Sequence, residues 1–348
     1  MALDTRQAAS PTRNHERLIM KKSLATLGVL AAAALALSGC TDSAAPPAAS
    51  PSASGDAEPM EMTTVRVAAL PIAETGALWA AMEEGIFADH GLEIEVVPAQ
   101  GGANAIPALL SGDIQFAIGQ PFGPIRADQQ DLGVVIVGNY ANSNAEGDDV
   151  NAVVALGDSG ITRPADLEGK TVSVNTIGAA GDLTIRKAVQ DDGGDPSSIE
   201  FVEVVFPDVP AQLEAGTMDA AWAPDPFRGI VLGAGGVSVV QPYQATIPGL
   251  TVLTSITTQA LLDEDPDLVA AYAAAMSEAL EWAASNEEAV RAAIATNLEI
   301  PEEAAAGITL PTFTWDLADA GIEELGALAV EFAYIEAAPD YETMIQQQ

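Results

Sequence analysis

The 348-residue chain carries 50 acidic and 13 basic residues, a formal charge of −37. Such a surface repels nucleic acid and anionic lipid headgroups, which argues against both as binding partners. Cys40 is the single cysteine, so no intrachain disulfide exists, and with two histidines a zinc site of the Cys/His kind cannot be assembled. No spacing resembles an EF-hand loop, and neither a metal nor a cofactor is expected.

The N-terminal part reads as a leader. Lys21-Lys22 precede an apolar run from Leu24 to Leu37, which suits a signal-peptide core and is short for a membrane span. The run ends in Leu37-Ser38-Gly39-Cys40, which resembles the bacterial lipoprotein lipobox, whose cysteine receives lipid after cleavage before it. Residues 1–39 are therefore expected to be a signal peptide, with Met20 the more natural start. Residues 40–63, rich in Ala, Pro, Ser and Gly, are expected to be a disordered tether lipid-anchored at Cys40. From Cys40 onward the chain holds 48 of the 50 acids and eight of the basic residues.

Val65 to Leu70 reads as a strand, Pro71 to Gly76 as a break and Ala77 to Glu84 as a helix. In open α/β sheets, ligands sit beyond the carboxyl ends of strands, facing helix N-termini. Ile72, Glu74, Thr75, Gly76 and Trp79 are accordingly candidate ligand contacts. A second strand follows at Glu93–Val97, then Gly101-Gly102, a helix at Ala105–Leu110 and a third strand, Ile114–Ile118. That strand runs into Gly119-Gln120-Pro121-Phe122, and Leu132–Val137 is a fourth strand. Alternation of strands and helices with short connections predicts a parallel α/β sheet.

The stretch Ala80-Ala81-Met82-Glu83-Glu84-Gly85-Ile86-Phe87-Ala88-Asp89-His90-Gly91-Leu92-Glu93-Ile94 resembles a signature of ABC-transporter binding proteins of the nitrate/sulfonate/taurine branch. That branch includes thiamin-pyrimidine-precursor binders and the similar thiamin-pyrimidine synthases. Gly101-Gly102 and Ala108-Leu109-Leu110-Ser111-Gly112-Asp113-Ile114 match its next block. Pro164-Ala165-Asp166-Leu167-Glu168-Gly169-Lys170-Thr171-Val172-Ser173-Val174 is similar to a third. The resemblance implies a two-lobed periplasmic-binding-protein fold of type II. Each lobe would be a mostly parallel sheet flanked by helices, with the ligand cleft between lobes. The expected division is 64–153 with 252–348 for lobe I, and 154–251 for lobe II.

Ala152–Leu156 reads as a strand crossing between the lobes. After the strand that ends the third block at Val174, Asn175, Thr176, Ile177 and Gly178 precede a helix opened near Asp182, and small residues there leave backbone N–H groups open to a ligand. Gly216-Thr217-Met218-Asp219 turns into a strand ending in Trp222-Ala223-Pro224-Asp225-Pro226-Phe227. This repeats the shape of Leu110 to Phe122, one copy per lobe. Gln120, Phe122, Trp222, Asp225 and Phe227 join the candidates, as do Gly101 and Gly102. Leu250–Ser255 returns to lobe I. Asp265-Pro266 is a good helix N-cap and first-turn pair, and helices follow to Phe332.

Three functions fit this reading. The first is a monomeric, lipid-anchored solute-binding subunit of an ABC importer, held at the outer face of the membrane and handing a small molecule to permease subunits. No catalytic residues are identified. The second is an enzyme of the thiamin-pyrimidine-synthase type, whose cysteine-rich motif and active-site histidine have no match beyond Cys40 and His90. The third is a sensor or scaffold lipoprotein. Among ligands, Glu74 and Asp225 put negative charge at the cleft, and a buried carboxylate needs a partner. A thiamin-precursor pyrimidine or another amine-bearing heterocycle is therefore expected, with a sulfonate such as taurine, or nitrate, as the alternative. Arg126 and Arg228 are read as pointing to solvent.

Overall fold

Runs of β-branched and small apolar residues become eleven strands in two sheets among the described residues. The structure is a computed structural model that describes residues 62–99, 102–317 and 321–347. The signal peptide, Cys40, almost all of the tether and Gly101 lie outside them.

The first sheet orders its strands β11-β4-β10-β3-β1-β2. These are β1 (Thr63–Ala69), β2 (Leu92–Pro98), β3 (Phe116–Gly119), β4 (Val134–Asn142), β10 (Thr251–Thr258) and β11 (Thr312–Phe313). The second sheet is ordered β7-β6-β8-β5-β9. Its members are β5 (Asn151–Ala155), β6 (Thr171–Val174), β7 (Glu200–Glu203), β8 (Ala220–Pro224) and β9 (Val237–Val240). The two-lobed α/β plan stands, but the sheets are mixed rather than mostly parallel. β1 pairs in parallel with β2 and β3, whereas β10 runs antiparallel to β3 and β4. In the other lobe β6 is parallel to β7 and β8, while β5 is antiparallel to β8 and β9. The cause is the crossing itself: a strand that enters a sheet directly from the other lobe arrives without a βαβ crossover, so nothing sets it parallel.

β5 lies wholly within the second sheet, and the chain passes between sheets just before it, at residues 143–150. Asp149 ties this crossing down. Its carboxylate accepts from Ser143 Oγ at 2.7 Å, Asn144 N at 3.0 Å and Val150 N at 2.8 Å. The return crossing precedes β10.

Two helices carry the elements around the first βα turn. The helix Gly76–Glu84 packs on Pro266–Ser285 and Glu287–Asn297. Gly76 permits the close approach, because a Cβ there would lie 2.6 Å from Ile294 Cγ1. Asp265 caps the long helix as its sequence predicts, accepting from Leu268 N at 3.0 Å. No helix of the described residues is long and apolar enough to cross a membrane.

Candidate functional site

Both sheets end their strands on one cavity of about 330 Å³. From the first lobe come Leu70, Ile72 and Glu74 of the first βα turn, and Gln120 and Phe122 after β3. From the second come Asn151 at the head of β5, Asn175, Thr176 and Gly178 after β6, and Trp222 and Pro224 on β8. Phe206 and Tyr243 complete the second lobe's wall.

Glu74 lies in a short 3₁₀ turn, Ala73–Thr75, and is 5% exposed. Its Oε2 is buried and accepts no hydrogen bond from any described residue. Burial pushes this carboxyl up from 4.5 to about 8; its own backbone N–H opposes the shift, Asp225 and Asp149 reinforce it, and Arg228 opposes it. The acid is thus largely protonated at neutral pH and both donates and accepts.

Beneath it, Arg228 is buried and not solvent-facing. It donates through Nη2 to Asp225 Oδ2 at 2.7 Å and to Thr309 Oγ1 at 3.3 Å, and through Nη1 to the Asp149 carbonyl. Asp225 Oδ1 also accepts from Gly229 N at 3.0 Å. Arg228 is thus spent on Asp225 and on the backbone of the crossing, and Glu74 is the acid that lines the cavity.

The walls are aromatic. Trp222 meets Tyr243 edge-on with ring centroids 5.6 Å apart, and Phe206 at 5.5 Å. Its Nε1 donates to Asn151 Oδ1 at 2.8 Å. Gln120 Nε2 donates to Tyr243 Oη at 2.9 Å, one of several bonds joining the lobes. Burial, and then Glu74, hold the Tyr243 hydroxyl well above its usual range, so it stays neutral. Ala73 N donates to the Asp225 carbonyl at 3.1 Å, and Tyr334 Oη to Asp182 Oδ2 at 2.7 Å. Arg126, exposed at the rim, donates from Nη1 to the Gly178 carbonyl at 3.0 Å. Gly178 has a φ of +75°, a left-handed conformation that glycine adopts without strain.

The expected contacts divide. Ile72, Glu74, Gln120, Phe122, Asn175, Thr176, Gly178 and Trp222 line the cavity. Thr75 instead spends its hydroxyl on the Leu70 carbonyl at 2.6 Å, Gly76 backs onto Ile294, and Trp79 is buried in helix packing. Ile177 is 43% exposed and points away. Asp225 caps its own turn and pairs with Arg228, and Phe227 stacks behind Phe206 at 6.3 Å. Gly102 starts the helix Gly102–Ser111, whose Ile106 and Pro107 reach the wall in its place. Asn151, Phe206 and Tyr243 were not expected. Asn151 had a sequence signal, the lone polar residue heading the apolar run Ala152–Leu156. Tyr243 had none.

The model of the NMT1/THI5-like family matches residues 73–290. The chain belongs to that family. The formylaminopyrimidine-binding protein of Halalkalibacterium halodurans is 26% identical over 70% of this chain and 72% of its own length. The alkanesulfonate-binding protein SsuA from Xanthomonas axonopodis pv. citri, solved bound to MOPS, superposes with a TM-score of 0.70. It is 15% identical, over 83% of this chain and 99% of its own. The desulfurization enzyme DSZB superposes with a TM-score of 0.62 at 17% identity, over 82% and 96% of the two chains. The fold is thus shared by binders and by an enzyme, and the cavity's own residues must decide the chemistry.

Because the Glu74 carboxyl is raised on folding, the folded protein keeps a proton that the unfolded chain loses between pH 4.5 and about 8. The stability it confers is full below pH 4.5 and is lost as pH rises through about 8. Melting curves of ligand-free wild type and Glu74→Gln should show the wild type losing ground to the variant across that window. A difference that does not change with pH would contradict the assignment.

Proposed function

We propose that this protein is the extracytoplasmic solute-binding subunit of an ABC importer, and that its ligand is an aminopyrimidine or a related heterocycle with an amine-bearing edge. The observation that carries the reading is the buried Glu74 carboxyl, whose Oε2 has no partner among the described residues, lining an aromatic-walled cavity between two lobes. A ring nitrogen beside an exocyclic amine offers one acceptor and one donor side by side. A carboxylic acid is its complement: the hydroxyl donates to the ring nitrogen while the carbonyl oxygen accepts from the amine. Moving the proton across gives a carboxylate and a heterocyclic cation, a charge-assisted pair in the same geometry. The flat ring is then held by Trp222, Phe206 and Tyr243. The name of the Halalkalibacterium relative supports this class.

An anion is the poorer fit. Arg126 is the cation lining the cavity; it lies at the solvent-exposed rim and is engaged with Gly178. Glu74, the acid that lines the cavity, brings no positive charge to a sulfonate or nitrate. We read the protein as a binder and not as a synthase because the chain beyond its leader offers only Cys40, in the lipobox, and His90. His90 pairs with Glu278 at 2.8 Å, away from the cavity. Capture would proceed by closure of the lobes about the crossings at 143–150 and before β10, with release to permease subunits. Export and lipidation at Cys40 would hold this monomeric domain at the outer face of the membrane, since a multiply acylated terminus anchors stably.

A calorimetric panel should rank 4-amino-2-methylpyrimidine and formylaminopyrimidine above taurine and nitrate. Glu74→Leu should weaken the pyrimidines by about tenfold or more, as expected when a pairing group is lost in a buried site, whereas Glu74→Gln, whose carboxamide still donates and accepts, should weaken them less. The opposite ranking would overturn the ligand class. For the anchor, Cys40→Ala should leave the membrane fraction and appear in the soluble fraction. Retention as tight as wild type would refute lipidation.

A further inference from the structure

Asn151 is 2% exposed and lines the cavity, and one of its two amide ends is already committed. An indole N–H can only donate, so the end 2.8 Å from Trp222 Nε1 is the oxygen. The amide is therefore oriented by chemistry, and Nδ2 is left over as a donor. Asn151 lines the cavity and enters its hydrogen bond to Trp222 through the oxygen, which leaves Nδ2 as the end that can turn to a ligand. Trp222 is itself fixed. It is 3% exposed, held edge-on by Phe206 and Tyr243, and backed by Gly181, where an added Cβ would sit 3.1 Å from its ring. The strand register explains the pairing. Val153 lies opposite Trp222 in the antiparallel β5–β8 ladder, so Asn151, two residues earlier, is its diagonal neighbour on the same face.

We propose that the Asn151 carboxamide selects for a second acceptor atom on the ligand, and that Trp222 is the positioning residue that keeps its N–H end facing the cavity. This deepens the aminopyrimidine reading and rests on it. Glu74 reads the edge formed by the amine and its adjacent ring nitrogen. Asn151 reads an acceptor elsewhere on the same molecule, for which the second ring nitrogen of a pyrimidine is suited. A ligand lacking that atom leaves a buried N–H unsatisfied, and sites that present a fixed donor reject such analogues. The cavity would thereby distinguish a diazine from a pyridine of the same shape.

Two small probes isolate the effect. 4-Aminopyrimidine and 2-aminopyridine share the amine and adjacent ring nitrogen, and differ by the second ring nitrogen. In wild type the pyrimidine should bind about tenfold tighter. In Asn151→Leu that ratio should fall to near one. Comparing the ratio between proteins cancels the different basicity of the two rings. Asn151→Leu leaves the Trp222 N–H unpaired, so the double variant Asn151→Leu/Trp222→Phe removes both polar partners and keeps a ring on the wall. It should fold and show the same collapsed ratio. Trp222→Phe alone frees the amide to turn, and its ratio should fall between the two. Equal binding of both probes to wild type, or an unchanged ratio in Asn151→Leu and the double variant, overturns the inference while leaving the aminopyrimidine reading in place. Failure of wild type to bind either probe overturns both.

Discussion

A carboxyl group taken out of water must keep its proton or find a donor, because an unpaired buried carboxylate is among the costliest groups a fold can hold. Glu74 is under that constraint, and much around it follows. Asp225 and Asp149 lie near enough to raise its proton affinity, and the single Arg228 is spent on Asp225, the Asp149 carbonyl and Thr309. Arg228 thus secures the crossing at Asp149, and Glu74 Oε2 is left without a partner among the described residues. An acid with a proton affinity near neutrality also suits a weakly basic heterocycle, since either partner can carry the proton when they meet.

The same residues link recognition to shape. Glu74 belongs to the first βα turn of one lobe, and its neighbour Ala73 donates a backbone N–H to Asp225 of the other. Gln120 reaches Tyr243, and Arg126 reaches Gly178. Each pair joins lobes whose sheets share no strand pairing. Parting the lobes would break these bonds and hydrate Glu74, so the acid would regain an ordinary proton affinity in an open form. If the ligand pairs with Glu74, its affinity and lobe closure would then be coupled through one titrating group.

Much of the fold was legible because the chain is locally consistent. Apolar strands, glycine turns and the Asp265-Pro266 helix start all agree with their surroundings. The strand directions were less legible: β5 and β10 read as ordinary strands, and only the interlobe crossings make them antiparallel. The site was legible where it follows strand ends. Glu74, Gln120 and Thr176 all sit just beyond the end of a strand and line the cavity, and Trp222 lies on one. Trp79 was misplaced because a helix immediately after a turn offers both a cleft-facing and a core-facing side, and Trp79 falls on the core. Tyr243 was invisible because its place depends on a five-residue helix, Pro242–Thr246, whose position the rest of the lobe decides.

Glu74 is a buried acid that holds its proton near neutrality in the ligand-free protein. The most direct measurement is a ¹³C NMR titration of the Glu74 side-chain carboxyl, without and with saturating 4-amino-2-methylpyrimidine. A midpoint near 8 is expected for the ligand-free protein, with a clear shift of that resonance when the heterocycle binds. A resonance that titrates in the ordinary glutamate range and ignores the ligand would contradict it.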